Sequence, residues 1–155
     1  MKSNFPGYLI ICFVIAACTN NQSNDAANLV SPQEQAKKNS PTNCYHYANT
    51  NDTIILKLIH VGESITGTLV YKLHEKDKNA GTIQGSMRGD VLIADYTFMS
   101  EGTWSVRQVA FKKQDHFFIE GYGDISTNND RVLLKNPDSL QYDDAMKLAE
   151  IDCQQ

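Results

Sequence analysis

Thr82-Ile83-Gln84-Gly85-Ser86-Met87-Arg88-Gly89-Asp90-Val91-Leu92-Ile93-Ala94-Asp95-Tyr96-Thr97-Phe98-Met99 decides the fold. Two runs rich in β-formers flank Gly89-Asp90. Alternation with a period of two is the mark of a strand, because successive side chains face opposite sides of a sheet. Gly followed by Asp suits a two-residue type II′ turn, whose twist matches that of the flanking strands. Centring the hairpin on that turn pairs Met87 with Leu92 and Ile83 with Tyr96.

The same pattern extends in both directions. Upstream lie Thr53–Val61 and Ile65–Leu73, joined by Gly62-Glu63. Downstream lie Trp104–Lys113 and His116–Tyr122, with Ser100-Glu101-Gly102 as a slightly longer turn and Gln114-Asp115 as a two-residue one. Arg131–Lys135 reads as another strand and Asn136–Ser139 as a turn. A first strand near Cys44–Tyr47 and a last one ending at Cys153 complete the set, with a short C-terminal helix as the second choice. Closely spaced hairpins without a helix-length segment predict an all-β, antiparallel up-and-down meander. Eight or nine such strands suffice to close a small barrel of lipocalin- or calycin-like architecture. Gly102-Thr103-Trp104 matches the lipocalin Gly-x-Trp in type, but it lies mid-chain and not on a first strand, so it does not argue membership.

Turns set register, and register decides which side chains share a face. Leu56 falls opposite Leu69, Ile54 opposite Tyr71, and Phe111 opposite Phe118. Arg107 falls opposite Tyr96 on one side and Tyr122 on the other. The apolar face so assembled predicts an interior that is apolar and closed at the end of the Gly62, Gly89 and Gln114 turns. Tyr71, Tyr96, Arg107, Glu120 and Tyr122 gather at the other end, with the longer loops. Two readings fit that gathering. One is a solid core capped by a buried Arg107–Glu120 ion pair. The other is a mouth that binds a small amphipathic ligand, apolar below and polar above.

The chain has 155 residues, a formal net charge of −4 and scattered basic residues. Nucleic acid is a poor partner for it, since phosphate contacts need clustered Lys and Arg. No P-loop, G-x-S-x-G, H-E-x-x-H or G-x-G-x-x-G occurs. His46, His60, His74 and His116 lack metal-ligand spacing, and Asp124–Asp130 lacks the Gly and Glu of an EF-hand and reads as a polar turn. No cofactor, metal or catalytic residue is expected.

The N-terminus carries a different signal. Lys2 precedes an apolar run from Tyr8 to Ala17, too short to span ~30 Å of hydrocarbon. With Ile15-Ala16-Ala17-Cys18 this run resembles the bacterial lipoprotein signal. The resemblance implies a signal peptide over 1–17, cleavage before Cys18, and a membrane anchor of diacylglycerol on the Cys18 thiol, with a further acyl chain such as palmitate on the freed amine. Two or more chains make such an anchor stable. Thr19 in place of Asp favours the outer membrane. Residues 18–42, polar and poor in large apolar side chains, read as lipidated cysteine and flexible linker, leaving 43–155 as the β domain. In an exported chain, the remaining pair Cys44 and Cys153 suggests a disulfide, with free thiols as the alternative.

The stretch Gly81–Gly123 resembles uncharacterised Bacteroidota envelope lipoproteins through Gly81-Thr82-Ile83-Gln84-Gly85, Ala94-Asp95-Tyr96-Thr97-Phe98 and Glu120-Gly121-Tyr122-Gly123. That resemblance implies envelope location and brings no activity. The expectation is a non-enzymatic, lipid-anchored domain in the envelope, facing periplasm or cell surface, with a ligand mouth. The alternative is a module that binds an envelope protein or glycan through its outer surface.

Overall fold

The structure, a computed structural model, describes residues 40–154. The signal segment, Cys18 and nearly all of the linker lie outside these residues. The described chain forms strands β1 (Thr42–Ala48), β2 (Thr53–Val61), β3 (Ser64–Lys72), β4 (Asn79–Arg88), β5 (Val91–Ser100), β6 (Thr103–Gln114), β7 (Phe117–Tyr122), β8 (Ile125–Asn128), β9 (Arg131–Leu134), β10 (Gln141–Tyr142) and β11 (Leu148–Ile151). Strands β1 to β7 pair antiparallel in sequence order. Strand β11 closes the ring, pairing with β1 through Cys44↔Ile151 and with β7 through Leu148↔Phe118. The result is a closed eight-stranded antiparallel barrel with β8, β9 and β10 outside the ring.

Turn chemistry sets the register. Gly62 and Gly89 take φ of 62° and 61° at the first position of two-residue turns, a backbone region that costs glycine nothing. The pairs Leu56↔Leu69, Ile54↔Tyr71, Ile83↔Tyr96, Met87↔Leu92 and Tyr96↔Arg107 all form. Glu101-Gly102 is a two-residue turn between Ser100 and Thr103, shorter than expected, with both residues at positive φ.

The β6–β7 hairpin departs from expectation. Its loop is Asp115-His116, not Gln114-Asp115, and Asp115 takes φ 48°. Asp tolerates the left-handed region better than Gln does. The register moves by two residues, so Phe111 faces Glu120 and Phe118 faces Lys113. A shift of two keeps every side chain on its expected face, and Phe111 and Phe118 still meet edge to face inside the barrel. Arg107 loses Tyr122 as a cross-strand neighbour and pairs instead with Val132 of β9. The expected polar turn at Asp124–Asp130 is strand β8 followed by Asn129-Asp130, both at positive φ, returning into β9.

Leu56, Leu69, Ile83, Leu92, Tyr96, Phe111, Phe118 and Leu148 are fully buried in the core. Gly67 lets the wall bend tightly around them. A Cβ there would lie 1.8 Å from the Lys57 carbonyl oxygen. A glycine inside a strand often marks such close backbone approach. The end of the Gly62 and Gly89 turns, expected to be closed, holds a small apolar pocket of about 140 Å³ among Tyr45, Leu58, Ile65, Met87 and Phe118.

Cys44 and Cys153 form a disulfide with Cα atoms 5.2 Å apart. It ties β1 to the segment just after β11, at the seam where the ring closes. For a loop of ~100 residues the chain-entropy argument gives about 4–5 kcal/mol. Reduction should therefore lower the urea midpoint sharply, and a Cys44→Ala/Cys153→Ala chain should be insensitive to reductant. Gly67→Ala should cost at least ~2 kcal/mol by the same urea titration, since backbone and not a flexible side chain must give way.

Candidate functional site at the barrel mouth

The alternation that fills the barrel with Leu and Phe delivers polar residues at its other end. Tyr71 ends β3, Asn79 begins β4, Tyr96 lies late in β5, Arg107 lies early in β6, and Glu120 and Tyr122 end β7. All but Tyr122 are buried or half-buried; Tyr122 is 48% exposed and forms the lip. Together with the loop at 73–78 they frame a pocket of about 290 Å³, lined by Tyr71, Leu73, Asn79, Arg107, Glu120 and Tyr122, with Lys76 and Asp77 on its rim. Tyr96 lies beneath and packs on Tyr71 and Phe98, with ring centroids at 5.9 and 4.7 Å.

Glu120 is the buried charged residue of the core, 8% exposed. Tyr71 Oη donates to its Oε1 at 2.6 Å and Tyr122 Oη to its Oε2 at 2.9 Å. Burial lifts its carboxyl above the usual range. The two tyrosine hydrogen bonds and the positive charge of Arg107 pull the other way without cancelling that effect. Burial, opposed by Arg107, pushes the Tyr96 hydroxyl up to about 12.

The Arg107–Glu120 ion pair of the capped-core reading does not form. With the β7 register moved by two, Glu120 sits opposite Phe111, four positions along β6 from Arg107. Among the described residues, the ion pairs are Lys112–Asp90, His116–Glu150, Arg131–Asp95 and Lys147–Asp144. The Arg107 guanidinium instead lies 5.0, 5.5 and 5.6 Å from the ring centres of Tyr71, Tyr96 and Phe98. Contacts within ~6 Å of an aromatic face attract a cation by roughly 0.5–2 kcal/mol. Three buried polar atoms at this end have no hydrogen-bond partner: Asn79 Oδ1, Tyr96 Oη and Arg107 Nε. Each such atom costs on the order of 1–3 kcal/mol.

All five residues singled out from the sequence thus meet at one end. Sequence reasoning missed Asn79 and Leu73. For Leu73 the signal is present, since it continues the inward alternation of Leu69 and Tyr71; Asn79 follows a loop, where no periodicity marks which residues turn inward. Among the described residues, no group of three His, Cys, Asp or Glu could hold a metal ion. Comparison with protein-family models, curated proteins and solved structures finds no match in any of the three.

Burial makes the folded-state pKa of Glu120 higher than its unfolded value, so its destabilising effect is absent where both states are protonated. It grows as the pH rises past the usual 4.5. Glu120→Gln should therefore gain stability relative to the unaltered chain as pH rises from the acid range to neutrality. Denaturation midpoints across that range test the trend, and a gap that widens on acidification would contradict it.

Proposed function

We propose that this chain is a non-enzymatic, lipid-anchored envelope protein whose barrel mouth binds a small amphipathic ligand. The cluster of unpartnered polar atoms from β4, β5 and β6 at the mouth carries the reading. Buried polar groups are nearly always paired. Three exceptions grouped in one place beside a pocket offer polar contacts to a bound molecule there. The walls suit an amphipathic molecule: Tyr71, Leu73 and Tyr122 offer apolar surface, while Asn79, Arg107 and Glu120 offer polar contacts. The lipoprotein resemblance of residues 1–18 supplies the anchor in this proposal, at Cys18, and with it the envelope location.

Mass spectrometry of the full chain under native conditions tests it. A small molecule should co-purify with the unaltered chain and be lost or strongly depleted in Arg107→Ala. A clean spectrum from the unaltered chain, together with no uptake of added amphiphiles, would sink the ligand reading. Metabolic labelling with a palmitate analogue should mark the chain and fail to mark Cys18→Ala.

One observation favours the second reading, an interaction module. Trp104 is 66% exposed and pairs across the hairpin with Met99, itself 48% exposed. A large aromatic displayed on an outer face is a common anchor for a protein partner. Trp104→Ala should abolish crosslinking to an envelope protein if this face is the working one.

A further inference from the structure

Resting on the ligand mouth proposed above, we infer that the polar end of the ligand is a single carboxylate, received by Arg107. A guanidinium carries five N–H donors and no acceptor. Among the described residues, no protein oxygen accepts from any of those of Arg107, and Nε is buried without a partner. The other clear cation–acid contacts lie on the surface, whereas this arginine lines the pocket with its donors unused.

A carboxylate stands in the same pocket and does not meet it. Glu120 is engaged through both oxygens, by Tyr71 and by Tyr122. Those two hydroxyls engage the acid, while the guanidinium lies within 5.0–5.6 Å of the ring centres of Tyr71, Tyr96 and Phe98. The arrangement fixes a planar donor group and reserves it. A planar carboxylate matches that fork with two parallel hydrogen bonds. Directly across the β5–β6 ladder, Tyr96 supplies another buried hydroxyl with no partner.

Charge and size narrow the class. Lys76 and Asp77 on the rim balance each other, so the pocket offers one unspent positive charge beside one negative one. A phosphate monoester would bring about two charges close to Glu120 and be repelled by it. A cationic ligand would meet the positive charge of Arg107 in the same pocket and would have to share the Glu120 oxygens with Tyr71 and Tyr122. The volume, about 290 Å³, and the tyrosine walls suit an acid with one aromatic ring or a short aliphatic body.

Isothermal titration of the full chain with 3-phenylpropionate, 3-phenylpropanol, 3-phenylpropylamine and 3-phenylpropyl phosphate tests this. The acid should bind roughly tenfold or more tighter than the alcohol, the scale of a charge-assisted hydrogen bond, and tighter than the amine or phosphate. The ¹⁵N resonance of Arg107 Nε should move with the acid and stay with the alcohol. Arg107→Met should erase the acid–alcohol difference. The comparison among ligands on the unaltered chain stands even if that variant fails to fold. Equal binding of acid and alcohol, or tighter binding of phosphate or amine, would overturn the carboxylate assignment and leave the ligand mouth intact. No binding by any of the four, with no co-purified molecule, would overturn both.

Discussion

A meander of seven strands has two open edges, each a row of backbone N–H and C=O groups with no partner. In this domain one short strand, Leu148–Ile151, removes both edges by pairing with β1 on one side and β7 on the other. The closed wall gives Leu56, Leu69, Ile83 and Phe111 a dry interior, and the same wall brings the ends of β3, β6 and β7 around one opening. Four residues are little to hold a ring shut. The disulfide just beyond them, with the contact of Glu150 to both Asn43 and His116, secures the seam. Loss of the seam would expose edge strands to other chains as well as the core to water.

The mouth combines two costs that a stable core would avoid: a buried carboxylate and a half-buried arginine that form no ion pair. Their separation follows from the register of a single hairpin. Had the β6–β7 turn formed one residue earlier at each side, Glu120 would lie one diagonal step from Arg107, and the two charges could have closed into a pair. The two-residue shift sends Glu120 down the barrel into the reach of Tyr71 and Tyr122, and leaves Arg107 against three rings. Neither group then depends on the other for its position. Unlike the members of a buried ion pair, in which loss of one partner strands the other, each keeps hydrogen-bond or ring contacts of its own, while the charge of Arg107 still favours the Glu120 carboxylate.

Much of this was legible in the residues themselves. Alternation placed Ile83, Tyr96 and Arg107 on one face, and Gly62 and Gly89 fixed four strands in register as two hairpins. The interior face survived even the misplaced β6–β7 turn, because side-chain facing depends on odd or even spacing and the error was two. What alternation could not supply was distance along a strand, which is why one of the two readings held an Arg107–Glu120 pair that is absent. Strand β8 was hidden because Ile125-Ser126-Thr127-Asn128 is polar and exposed; it has no buried face to leave a pattern. The last strand was blurred for another reason: β10 and β11 lie along the same edge of β7, interrupted by the short 3-10 turn Asp144–Met146, which breaks any period.

The chain enters the barrel at Thr42, beside Ile59, and Cys153 is fastened close by to Cys44. Both points lie toward the end that carries the Gly62 and Gly89 turns, and the mouth lies at the other. The domain therefore has a stem side and a free side. With the lipid anchor proposed here, the tether would join the domain on the side away from the opening, so neither its point of attachment nor the disulfide would stand in the way of a ligand entering the mouth.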